Sequence, residues 1–220
     1  MQAESLSRID AVLEPPAAEL VAAYFEPATE NRFAAEAFDT LGENDPLVIG
    51  ADDILATTLL DIRFSPAAVR AILGPDRGDL MDLLRDVPSG ADIWQATDRE
   101  FAHARVLWNR LRTYHGIESV VAGKLMARKR PRLIPIIDSV VTRTLRFPSG
   151  TYWLTLRQAL GDAKRRTRIE ALRPLGLSPA VSTLRLLDVA VWMRGSESAN
   201  ARRVRMANAL EVRPRARQGG

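Results

Sequence analysis

No cysteine occurs anywhere in the 220 residues. That absence excludes disulfides, thiolate metal sites, iron–sulfur ligation and thiol nucleophiles, and it fits a reducing cytoplasm. Histidine is nearly as scarce, with only His103 and His115. A metal centre would have to rest on carboxylates, and neither a metal nor any other cofactor is expected. No stretch approaches the roughly 20 apolar residues of a membrane span. The start of the chain carries Glu4 and lacks the basic opening and apolar centre of a secretion signal. These absences predict a soluble, cytoplasmic protein with no membrane partner. A Gly-rich phosphate loop, a Ser nucleophile elbow and a zinc motif are missing as well.

Charge is plentiful, and it is unevenly spread. Residues 1–100 hold 20 Asp and Glu against 7 Lys and Arg, whereas residues 101–220 hold 7 acids against 24 bases. Such a division points either to an anionic partner such as nucleic acid, or to two halves of one fold that attract each other. The second alternative extends to self-association or a protein partner, if the halves pair between chains.

The periodicity is helical nearly throughout, and Gly and Pro mark the breaks. Pro15-Pro16 ends a short first helix, so residues 1–16 read as an N-terminal extension. Residues 17–195 read as one compact all-α domain of about nine to ten helices, and residues 196–220 as a basic tail expected to be disordered. Thr29 is a plausible N-cap for a helix ending near Gly42. Ser65-Pro66 pairs an N-cap with proline at the first helical position, and Ser178-Pro179 repeats that signal before the apolar run VSTLRLLDVAVWMRG. Thr97 and Glu100 form a capping box for a helix reaching about Tyr114. Asp52 and Asp53 read as helix-start acids, Asp188 as the partner of a buried arginine or the cap of a neighbouring element, and Trp108, Trp153 and Trp192 as core.

The richest stretch is WNRLRTYHGIESVVAGKLMARKRPRLIPIIDSVV, residues 108–141. Gly116 permits a tight turn, Ile117 is an apolar plug between two helices, and the amides that open the next helix lack intrahelical partners. Such donors suit a phosphate oxygen. Lys124 and Arg128 follow four residues apart, with Lys129, Arg130 and Arg132 close behind, as an electrostatic footprint for a polyanion. A solvated cationic face that pairs with the acidic half is the competing explanation. Asp138 precedes Ser139-Val140-Val141, which makes it an N-cap and also a candidate catalytic acid.

This order of helix, hairpin, helix, loop and Asp resembles the helix-hairpin-helix DNA glycosylase superfamily, with Gly116 and Asp138 22 residues apart. KLMARKRPRLIPIID and LDVAVWM also resemble, more closely, an uncharacterised bacterial protein family, over about residues 20–195. The glycosylase resemblance implies DNA as a partner and a helix-hairpin-helix at about residues 101–130. It implies Gly116, Ile117, Ser119 and Lys124 at a phosphate, with Arg128, Lys129, Arg130 and Arg132 adding affinity. Tyr114 and His115 would then touch bases, and Asp138 would be the acid of a monofunctional base-excision enzyme. Two positions depart from that family's pattern. Glu118 replaces the second hairpin glycine and sets a carboxylate where phosphate approaches, and the lysine nucleophile of lyase-type members falls at Val120.

Overall fold

Proline, glycine and short polar caps cut this chain into helices of 7 to 14 residues. The computed structural model describes residues 2–26 and 33–211. It contains α1 (Gln2–Val12), α2 (Ala17–Phe25), α3 (Ala51–Thr58), α4 (Pro66–Leu73), α5 (Arg77–Asp86) and α6 (Asp98–Leu111). These are followed by α7 (Ser119–Lys129), α8 (Ser139–Leu145), α9 (Tyr152–Leu160), α10 (Ala163–Glu170), α11 (Thr183–Gly195) and α12 (Ala199–Glu211). A 3-10 turn spans Ala34–Ala37, and no strand occurs among the described residues. The architecture is all-α, and none of the described helices is long and apolar enough to cross a membrane.

α11 lies at the centre and packs against α8, α2, α10, α1 and α12. Leu184, Leu186, Leu187, Val189, Ala190, Val191 and Met193 are all buried, so both sides of the helix face protein. Its last residue comes close to α8: a Cβ on Gly195 would stand 2.0 Å from Thr144 Oγ1. Glycine is what lets the two helices approach there.

Local cap chemistry places several starts as the sequence predicts. The Ser65 hydroxyl accepts from the Ala68 amide at 3.1 Å. Thr97 and Glu100 form the reciprocal box, with Thr97 N donating to Glu100 Oε2 at 2.6 Å and Glu100 N to Thr97 Oγ1 at 3.2 Å. Asp138 Oδ1 accepts from Val141 N at 2.9 Å.

Elsewhere the expectation fails for a physical reason. α11 is capped by Ser182 rather than Ser178, because the Ser182 hydroxyl accepts from Arg185 N at 3.1 Å and donates to Pro131 O at 2.6 Å. Ser178 accepts only from nearby Ala180 N, in a local turn. The helix expected up to Gly42 is reduced to the 3-10 turn, since the Phe38, Leu41 and Glu43 carbonyls accept from the Arg128 guanidinium. Its expected cap, Thr29, lies outside the described residues. The N-terminal segment is integrated into the domain: Ile9 is fully buried, and Asp10 pairs with Arg165 and Arg168. The basic tail begins as α12, with Ala201 buried. Residues 212–220 lie outside the described part.

Candidate functional site: the hairpin and the cations behind it

The turn between α6 and α7 is fixed from below. Gly116 has φ +80, and Ser65 Oγ donates to the His115 carbonyl at 2.7 Å. Ile117 is sealed in the core, while His115, Gly116, Glu118 and Ser119 are exposed. Glu118 is the N-cap of α7 in an extended conformation, without a side-chain capping bond. The first intrahelical bond runs from Ala122 N to Glu118 O at 3.0 Å, so the amides of Ser119, Val120 and Val121 precede the helical ladder. Trp108 Nε1 donates to Ser119 O at 3.3 Å, and the exposed Arg112 guanidinium lies 4.2 Å from the centre of the Trp108 ring system. Tyr114 is half-buried beneath Arg110, which pairs with Asp76 at 3.1 Å. Burial, then the nearby Asp76 carboxylate, pushes its phenol up to about 12.

The cations of α7 do not share this surface. Lys124 is 6%, Arg128 1%, Lys129 2% and Arg130 1% exposed. Each has internal partners. Lys124 Nζ donates to Leu60 O at 2.7 Å. Arg128 reaches Asp53 at 3.3 Å and the carbonyls of Phe38, Leu41 and Glu43. Lys129 Nζ meets Asp53 Oδ2 and Asn44 Oδ1, both at 2.7 Å, and Asp45 O at 2.6 Å. Arg130 donates to the Val87, Leu84, Pro46 and Lys129 carbonyls. It has no carboxylate within ion-pair distance among the described residues, and burial lowers its guanidinium to about 10. Burial also lowers both lysines, against the raising pull of Asp53 on Lys129 and of Asp138 on Lys124.

The outward cation row expected from the sequence is therefore an internal tether, because the 38–46 segment, the turn at Leu60 and the C-terminal end of α5 need its donors. Asp53 is more than a helix-start acid: besides meeting Arg128 and Lys129, its carboxylate accepts from Gly50 N at 2.8 Å. Arg132 alone of the set keeps its side chain half exposed, and it grips Asp92 through two bonds.

The division of charge has the same explanation. Nine ion pairs among the described residues join an acid before residue 100 to a base after it, from Asp10–Arg165 at 3.0 Å to Asp39–Arg185 at 3.0 Å. The halves attract each other inside one chain.

The family model for DUF6308, a family of unknown function, matches residues 17–195, which take in both the KLMARKRPRLIPIID stretch and α11. The chain belongs to DUF6308. No curated protein and no solved structure matches it significantly.

Within this DUF6308 domain Asp138 is half-buried at the N-terminus of α8, with one oxygen on the Val141 amide. A small recess, with about 10 Å3 of room for a single water, is bounded by Phe38, Asp39, Ala127, Ile136, Arg185 and Asp188. A second, of about 410 Å3, lies between Pro16, Leu20, Arg194, Arg205, Asn208 and Ala209. Asp138 lines neither. No three acids or histidines converge as metal ligands among the described residues.

Sequence reasoning missed the polar knot in the core of this DUF6308 domain. Arg185 binds Asp39 through Nε at 3.0 Å, Asp188 through Nη1, and the Tyr24 hydroxyl and Ala35 O through Nη2 at 2.9 and 2.8 Å. The arginine expected beside Asp188 was three residues upstream, one helical turn away and visible in the sequence. Asp39 and Tyr24 gave no signal.

Proposed function

We propose that this chain binds nucleic acid through the α6–α7 hairpin, on a scaffold that resembles the helix-hairpin-helix DNA glycosylases. The observation that carries the reading is the exposed turn at Gly116 to Ser119, which leaves the opening amides of an 11-residue helix facing solvent. Those donors and the positive helix end suit one phosphate. Arg112, whose guanidinium lies over Trp108 beside the turn without an acidic partner among the described residues, supplies the cation that the buried side chains cannot. Phosphate contacts of this kind position a duplex without reading its sequence. Glu118 works against binding, because its carboxylate sits at the approach to the amides. Asp138 serves as the helix cap, and base excision forms no part of the proposal: neither recess described above opens at its carboxylate.

The test is fluorescence anisotropy of the full chain with plain duplex, single-stranded and abasic-analogue DNA over a salt series. Arg112→Ala is expected to lower the salt slope by about one unit with the thermal midpoint nearly unchanged, and Glu118→Gly to tighten binding. Slopes equal to wild type in both variants would remove the hairpin from the interface. Preferential, salt-sensitive binding to the abasic analogue, lost in Asp138→Asn, would instead reinstate the enzyme. A protein-binding role is the second reading, favoured by Met206 and Leu210, exposed one turn apart on α12. Concentration-dependent association without DNA affinity would select it.

A further inference from the structure

With the α7 cations turned inward, the footprint of a polyanion has to lie on another element, and α6 carries one. Its Phe101, Ala104, Leu107 and Leu111 face the core. Arg99, Ala102, Arg105, Val106, Asn109 and Arg112 recur at intervals of three and four residues and are all exposed, so they share the outward face. Arg112 stands just past the last residue of the helix but keeps αR backbone, which holds it in the helical register. The row therefore leads straight into the hairpin.

No acid interrupts this face. Glu100, the one carboxylate between Arg99 and Arg112, is half-buried and turned back on Thr97, whose amide it accepts at 2.6 Å. The acids of the flanking elements are occupied elsewhere: Asp98 by Arg157 of α9, Asp76 by Arg110 and Asp82 by Arg85. Asp79 and Asp86, the other acids of α5, form no ion pair with the row. Arg99, Arg105 and Arg112 are left without a carboxylate within ion-pair distance among the described residues. Glu118, across the hairpin turn, is the exposed acid at the far end.

We infer that the outer face of α6 is a track along which a nucleic-acid backbone lies, with Arg99 and Arg105 as phosphate contacts beyond Arg112; this rests on the nucleic-acid reading of the hairpin. At a rise of about 1.5 Å per residue, Arg99 to Arg112 span about 20 Å. One strand of a duplex presents a phosphate about every 3.4 Å along its axis, so the row covers the rise of roughly six, where the hairpin amides suit one. What favours nucleic acid over another anionic partner is what the face lacks. Val106 is its one large apolar side chain, so it offers neither the aromatic anchors of a protein interface nor the apolar face that sinks into a lipid surface. Phosphates need only cations and small donors, and the exposed Asn109 and Thr113 add the latter. Contacts of this kind hold the backbone without reading the bases.

Anisotropy of the full chain with plain duplex DNA over a salt series tests this. Arg99→Ala and Arg105→Ala should each lower the salt slope by about one unit, and the triple variant with Arg112→Ala by about three. Both side chains are exposed and unpaired, so the thermal midpoints should stay near wild type and every variant should fold. Lys164→Ala, which removes an exposed cation from α10, should leave the slope unchanged. A slope lowered by Arg112→Ala but by neither Arg99→Ala nor Arg105→Ala would overturn the track and leave the hairpin reading standing. An equal fall in Lys164→Ala would reduce the effect to overall charge and overturn it too. Absence of salt-sensitive DNA binding in the wild type would overturn both, and binding to phosphatidylglycerol vesicles in its place would assign the face to lipid.

Discussion

Arg128→Ala is expected to cost about 3–5 kcal/mol, lowering the thermal midpoint by roughly 6–20 °C in a domain of this size. Asp53 would keep Lys129 and the Gly50 amide, but the carbonyls of Phe38, Leu41 and Glu43 would lose their donor at a place where alanine leaves a closed void. Arg128→Lys should recover only part of the loss, since a single ammonium cannot span a carboxylate and three divergent carbonyls. Thermal unfolding monitored by circular dichroism, run beside the DNA salt series, separates this role from a surface one. A phosphate contact predicts an unchanged midpoint and a smaller salt slope. The tether predicts a large fall in midpoint, and an unchanged slope in whatever folded protein remains. A midpoint within about 2 °C of wild type would rule the tether out.

The second large effect is expected at Arg185, and it depends on pH. Arg185→Met strands Asp39 and Asp188 in the core, with an expected loss of about 3–5 kcal/mol at pH 7.5. Carboxyls left without their cation hold protons in the folded chain at pH values where the unfolded chain, near 3.8, has released them. The folded state then binds more protons than the unfolded one, so unfolding free energy falls as pH rises. Stability lost at pH 7.5 should accordingly return in part at pH 5. Carboxyls with the opposite shift, such as Asp10, lowered chiefly by its bond to Arg165, and Glu100, lowered by the Thr97 amide, lose their contribution only as pH falls below about 4.5. They leave the comparison between pH 5 and 7.5 clear. Equal losses at the two pH values, measured as urea midpoints, would mean that the acids find another cation.

What the sequence made legible was local. The caps at Ser65, Thr97 and Asp138 are decided by residues within three positions of each other, and the pairing of Asp188 with an arginine is decided within one helical turn. The burial of Lys124 to Arg130 was not legible. The partners of Arg128 and Lys129 lie 75 to 90 residues upstream, and nothing in a run of cations says whether carbonyls or solvent will face it. The charge division of the two halves allowed internal pairing as one of its alternatives, and only the folded chain shows the ion pairs that join them. Ser178 misled because two serines four residues apart offer equally good caps, and the choice falls to Pro131, whose carbonyl only Ser182 reaches.

The chain has three lysines, and burial gives that scarcity a use. Lys124 and Lys129 have their amines on Leu60 O and on Asp53, Asn44 and Asp45, which leaves Lys164 as the exposed one. On the folded domain, acylating reagents and lysine-specific proteases find one side chain to attack. Modification at the other two requires the backbone around residues 38–46 or 60 to come away first. Amine chemistry on this chain therefore keeps time for its opening, and acylation at Lys129 would record an excursion that no surface probe would see.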